Sequence, residues 1–371
     1  MQRRIRSYDT TGPGSRWTRL AGTLAPVLLL AAMGCAEDTQ PTTGPTTPTA
    51  PDQAVAAAVY TVKDLGTLGG PYSSARAINN VGGIVGVSSV AGGAQHAFLY
   101  RAGVMRDLGA LAGGQSQALA LNDAGVVVGS STVLSGALRA VRWKDGVKKN
   151  LGTLGGRNSE ATGINLAGVI VGWSETASGQ HHAFVWRDGV MKDLGTLGGT
   201  WSHAYGINRA GRVVGYATTA SGERHAVAWS NTGVVKDLGT HGRVSSLATA
   251  INDNGQMAGI IGPVPDAAGE ELAFSNPFLF YQGTWTVFGT GQLSSDAWAI
   301  SATGIIVGGD FTERDEEATE DAWAWEAGVV TRLPELAPGH SGAYGVNQYG
   351  TIVGYGPSVT GASHAMLWRR Q

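Results

Sequence analysis

Cys35 is the only cysteine in the 371 residues. The chain can therefore form no internal disulfide and offers no thiolate cage for a metal. Charged residues make up only 15 % and lean slightly acidic, which argues against nucleic acid, a partner that wants a basic footprint. The longest apolar run, Leu24–Met33, is far shorter than the ~20 residues a membrane-spanning helix needs. Past Ala58 no stretch repeats its apolar residues every 3.6 positions, so amphipathic helices are not expected. Gly-x-Ser-x-Gly, His-Glu-x-x-His, Walker and Asp-x-Asp-x-Asp-Gly patterns are all missing, so no catalytic residue, metal ligand or cofactor is nominated. Glycine is abundant, 57 residues, and its placement is periodic.

Asp-Leu-Gly-Thr-Leu-Gly-Gly occurs at Asp64–Gly70 and again at Asp193–Gly199. Anchoring on the Asn of Ile-Asn-x-x-Gly gives Asn79, Asn122, Asn165, Asn208, Asn252 and Asn347, with Ser301 standing in once. The spacings are 43, 43, 43, 44, 49 and 46 residues, hence seven units. Six residues before each anchor stands a serine (Ser73 through Ser341), and four before it an alanine (Ala75 through Ala343). Later in the unit come His-Ala-Phe or a variant and, two positions on, an aromatic: Tyr100, Trp143, Trp186, Trp229, Phe280, Trp325 and Trp368.

Each unit thus holds four short alternating runs bounded by Gly and Asn turns, the signature of strands joined by hairpins. Four antiparallel strands in about 43 residues predict one blade of a β-propeller. The fold class is all-β, a seven-bladed propeller of four-stranded blades. Tyr60–Leu65 reads as a fourth strand without its first three, and the run ending at Trp368 as three strands without a fourth. Pairing Tyr60–Leu65 with His364–Trp368 completes the last blade and removes exposed edges. The alternative is an open β-solenoid with capped ends.

The His-Ala-Phe triplets, together with Asp-Leu-Gly-Thr-Leu-Gly-Gly, resemble the HAF repeats of bacterial extracellular proteins over about Val59–Arg370. Asn276-Pro277-Phe278, Asp321-Ala322-Trp323 and Arg139-Ala140-Val141 depart from the triplet. The resemblance implies export and a repeat fold, and brings no activity with it.

Residues 1–34 read as a signal peptide: five arginines precede the apolar run, which ends at Ala32-Met33-Gly34-Cys35. This looks like a lipobox, with Cys35 as the site of lipid attachment; the alternative is an ordinary secretory signal that contains a cysteine. Multiple acyl chains there would anchor the protein to the cell envelope, at the outer membrane or cell surface. Residues 35–58, rich in Thr, Pro and Ala, read as an extended tether, and 59–371 as the propeller.

Residues that recur in every unit belong to the scaffold. His96, His182, His225 and His364 are expected to make structural hydrogen bonds, with the Asp of Asp-Leu-Gly as a turn acceptor. Trp143, Trp186, Trp229, Trp325 and Trp368 are expected to pack between blades. Ser, Ala and the small residue after them should form the innermost strand, where only small side chains fit.

Function is expected where units differ, on the face that gathers the Gly-Thr-Leu-Gly-Gly loops and the loops between second and third strands. Candidate ligand-binding residues there are Tyr72, Arg157, Asn158, Glu160, Trp201, His203, His241, Arg243, Asp296 and His340. Two insertions, Gly262–Asn276 and the acidic Asp310–Asp321, are expected to be loops on the same face. The reading is a monomeric, non-catalytic binding or scaffold module for a glycan or protein segment. The alternative is a polysaccharide hydrolase or lyase using Glu160, His203 and Asp296, which share one column of the repeat.

Overall fold

The turn residues explain the strand pattern. In the first unit Asn79 closes its turn with its own side chain: Oδ1 accepts the Gly83 N–H at 2.7 Å, and Gly82 supplies the φ of +80° that the reversal needs. The alternating runs on either side then pair. The strands β1 (Tyr60–Asp64), β2 (Gly69–Ile78), β3 (Ile84–Val90), β4 (Gln95–Arg101) and β5 (Val104–Asp107) open the fold. β2 to β5 form an antiparallel meander in sequence order.

The structure is a computed structural model that describes residues 57–262, 275–291, 294–314 and 317–371, with 312–314 and 317–319 as backbone only. The signal region, Cys35, nearly all of the tether and most of the Gly262–Asn276 insertion lie outside the described residues. Within them the chain is all β, and the meander recurs. The strands make five four-stranded sheets and one of eight, in which two four-strand sets are joined by a single parallel bridge between His181 and Trp201. β1 does not pair with β2. It lies antiparallel to Ser363–Arg370, from Tyr60 opposite Arg370 to Asp64 opposite Met366, the partner expected from the sequence.

Small side chains let neighbouring first strands approach. A Cβ on Gly163 would sit 3.1 Å from the Tyr205 carbonyl of the next unit, and one on Gly345 would meet the Ala77 Cα at 3.0 Å. The serine column has a second task that the sequence reading did not foresee. Ser202 Oγ accepts the N–H of Ala183 in the preceding unit at 2.8 Å and donates to the Gly195 carbonyl at 2.6 Å. Ser73, Ser116, Ser159 and Ser246 repeat both bonds. The asparagines also link units: Nδ2 of Asn79, Asn122, Asn165 and Asn208 each donates to the backbone carbonyl of the next anchor. Asn252 donates to Ser301 O at 2.9 Å, and Asn347 to Asn79 O at 3.3 Å. Ser301 has no amide to pass the chain on. Its Oγ serves only its own turn, accepting from Ile305 N–H and exchanging a bond with Thr303.

The aromatic column is buried throughout. Trp229 Nε1 donates to Leu194 O of the preceding unit at 3.0 Å, and Trp368 Nε1 to Pro334 O at 2.8 Å. The repeated histidines do make structural bonds, and their partner is the repeated aspartate. His96, His182, His225 and His364 place Nδ1 2.7–2.9 Å from Asp107, Asp193, Asp237 and Asp64. The other oxygen of Asp193 takes the Gly195 N–H at 2.7 Å, so one carboxylate ties the third strand to the glycine turn. Where Arg139 replaces the histidine, Asn150 replaces the aspartate and keeps only the turn bond, to Gly152 N–H.

One expectation is corrected. The acidic segment is not a loop. Ile306–Arg314 and Glu317–Glu326 pair as one extended hairpin out to Arg314 opposite Glu317. Asp310, at its base, is buried and ion-paired with Arg332. Burial pushes its carboxyl upward despite bonds from Ser295, Thr290 and Arg332.

Candidate functional site

The residue after each column serine is where the units diverge most: Ser74, Gln117, Glu160, His203, Leu247, Asp296 and Gly342. Its cross-strand neighbour on the second strand is Trp173 opposite Glu160 and Tyr216 opposite His203. These two successive units build a polar and aromatic cluster. Glu160 Oε1 accepts from Gln117 Nε2 and Ser130 Oγ, both at 2.7 Å, and Oε2 accepts the Trp173 indole N–H at 3.3 Å. Trp173 stacks on His181, centroids 4.5 Å apart and planes 10° apart. His181 stacks in turn on Trp201 at 4.2 Å and 21°. The backbone of Trp201 is held on both sides by Thr218 Oγ1, at 3.0 and 3.1 Å.

Glu175 supports this stack from the side. Its carboxylate accepts Asn158 Nδ2 at 2.7 Å and the N–H groups of Arg157 and Asn158, and lies 3.6 Å from His181 Nε2. Burial pushes the Glu175 carboxyl up, but those hydrogen bonds and His181 outweigh it and hold it below the usual range. Burial pushes His181 down, against the pull of Glu175. His203 stacks on Tyr205 at 4.1 Å. Its Nε2 is shielded from solvent without a partner, and burial, reinforced by His181 and Arg224, pushes it down to about 3.

That last shift has a sign. Between the ordinary histidine value, ~6.5, and about 3, the unfolded chain binds a proton that the folded chain does not. Stability therefore falls as pH drops through that window. The urea midpoint of His203→Phe is expected to fall less between pH 7 and pH 4.5 than that of the wild type. An equal fall in both would show that His203 is not the group responsible.

A second cluster joins the units at either end of the repeat. Tyr355 Oη donates to Glu320 at 2.6 Å, Tyr344 stacks on Tyr355 at 5.7 Å, and the Arg76 guanidinium lies 4.4 Å from the centre of the Tyr344 ring. Burial and Glu320 push Tyr344 up to about 12.

The ten sequence candidates therefore separate. Arg157, Asn158, Glu160, Trp201 and His203 come together around Trp173 and His181. Tyr72 lies near Tyr344 and Tyr355, and His340 Nδ1 accepts the Glu320 N–H at 3.2 Å, so these two belong to the second cluster. His241 stands apart at a φ of +51°, stacked on Trp285 at 5.5 Å. Arg243 shares that turn, its N–H on Thr240 O. Asp296 is buried and accepts from Ser275 Oγ, and does not join Glu160 and His203 in one constellation. Sequence reasoning missed Trp173, His181, Glu175 and Tyr216. The signal was present: Trp173 and Tyr216, with Tyr355, are the aromatics in a column that holds Val87, Ser130, Ile260 and Gly309 elsewhere, and His181-His182 is the only doubled histidine in the chain.

Repeated antiparallel meanders, with first strands in close contact and their differences gathered beside one set of loops, define a β-propeller. Solved structures agree on the fold. The chain is similar to the β-propeller domain of the trilobed protease from Pyrococcus furiosus, described as having an open velcro topology, at 10 % identity and a TM-score of 0.50 over 81 % of this chain and 94 % of that one. It is similar to a puromycin-hydrolysing peptidase of Mycobacterium tuberculosis at 12 % identity and a TM-score of 0.52, covering 80 % of this chain and 51 % of that one. TolB from Acinetobacter baumannii aligns at 12 % identity and a TM-score of 0.42, over 67 % of this chain; the chain spans 64 % of TolB's length. No family model matches the chain. No curated protein matches it.

Proposed function

We propose that this chain is a closed, seven-bladed β-propeller of the HAF-repeat kind, exported and anchored through Cys35, that acts as a non-catalytic binding module through its loop-rich end. Counting the eight-stranded sheet as two blades gives seven with the five four-stranded sheets. The β1 pairing and the Asn347–Asn79 bond, which link the two ends of the repeat, support closure.

The observation that carries the binding reading is the division of labour among histidines and aromatics. The repeated histidines are committed to Asp pairs within the scaffold. The unrepeated Trp173, His181 and Trp201 form a stack beside the Leu-Gly-Gly loop of the fourth unit. Catalysis by the same cluster is disfavoured. Glu160 already accepts three hydrogen bonds, and His203 is buried, with its Nε2 shielded from solvent.

The test is capture from native membrane and envelope fractions, with identification of whatever is retained. The full chain is compared with an Arg157→Ala, Trp201→Ala, Arg243→Ala variant of the loop-rich end. Retention of a defined ligand by the wild type, lost in the variant, is the expected result. Identical retention by both overturns the reading. Turnover of any polysaccharide that depends on Glu160, checked with Glu160→Gln, would replace it with the enzymatic alternative.

A further inference from the structure

Among the described residues Trp201 is the one exposed tryptophan, at 41 %. Water-facing indole is costly unless something covers it. This indole is also held in place: its inner face lies on His181, which lies on Trp173, and its backbone is fixed by Thr218. A rigid aromatic ring loses little freedom when a ligand lands on it.

The surroundings are polar. Glu175 beside the stack accepts hydrogen bonds from Asn158 and Arg157. Arg157 itself is exposed, its guanidinium against the Ser135 carbonyl in a turn of the preceding unit at 3.4 Å. The residues that hold the stack are polar: Asn158, Glu175 and Thr218. A pyranose needs one flat apolar surface for its C–H face, with hydrogen-bonding groups at the edge for its hydroxyls.

Resting on the proposed binding role of this end of the propeller, we infer that Trp201 is the stacking platform of a glycan subsite. A neutral pyranose ring lies on the outer face of its indole.

Affinity electrophoresis of the full chain through gels containing soluble glucan, mannan, galactan or xylan tests this. At least one polysaccharide is expected to retard the wild type. Trp201→Ala should weaken that retardation about 10- to 30-fold, and Trp201→Tyr, which keeps a flat ring, should weaken it only about 2- to 5-fold. Equal thermal midpoints would show that all variants are folded. The inference is overturned if none of the four polysaccharides retards the wild type, or if Trp201→Ala runs as the wild type does. It is also overturned if a peptide array, and not a polysaccharide, shows the Trp201-dependent binding.

A Tyr72→Ala, Arg243→Ala variant separates the two levels. Retardation that survives Trp201→Ala but is lost in this variant removes the platform and leaves the loop-rich end as the binding face. Retardation unchanged in every variant removes both.

Discussion

Deleting Val59–Leu65 is expected to destabilise the propeller by about 5 kcal/mol or more and to make it associate more than the full chain does. The segment buries Tyr60 and Leu65, each contributing about 2 kcal/mol of apolar burial. It also completes a sheet through five residue pairs with Ser363–Arg370 and a bond from Leu65 N–H to Ala365 O. Asp64 is the partner of His364, so the His–Asp link of that unit goes too. Without β1, the strand Ser363–Arg370 becomes an open edge, a template for pairing with another chain. Urea unfolding followed by tryptophan fluorescence, with size-exclusion chromatography of the same sample, reads both effects. A variant as stable as the full chain and eluting as it does would mean that the ends of the repeat do not depend on each other, and the proposed closure would fall with them.

The second large effect is at Trp229. It is fully buried, packs with Leu194, Val213 and Val227, and donates to the Leu194 carbonyl of the neighbouring unit. Trp229→Ala is expected to cost about 3–5 kcal/mol, because the cavity it leaves lies between two sheets that cannot collapse together. Trp229→Phe should cost less, about 1–3 kcal/mol, mainly from leaving that carbonyl without its partner. Tyr100 and Phe280 occupy the same column natively, which shows that a smaller ring fits there. Denaturant midpoints for the two variants measure this; a Trp229→Ala cost below about 1 kcal/mol would contradict inter-unit packing of the aromatic column.

The scaffold was legible because its determinants are local and repeated. Asn79 shapes its turn with its own amide and glycine, and seven near-copies of that turn leave one arrangement of strands. Small residues in the first strand, the aromatic column and the partner of β1 could all be read from spacing alone. Other features depend on distances between units. The serine bonds cross from one sheet to the next, and the His–Asp pairs join residues about a dozen positions apart in sequence that become cross-strand neighbours. The acidic segment was misread because its charge suggested a solvated loop, whereas its backbone continues the ladder of the hairpin below it.

By itself the sequence determined the repeat, the all-β class, the strand order within each unit and the set of residues committed to the scaffold, because periodic local chemistry admits few folds. Only the tertiary structure decided which unrepeated residues meet. Glu160 and His203 gather around Trp173, Asp296 is buried elsewhere, and His181 is clasped between two indoles. Those outcomes depend on the twist and spacing of neighbouring sheets, which no single unit encodes.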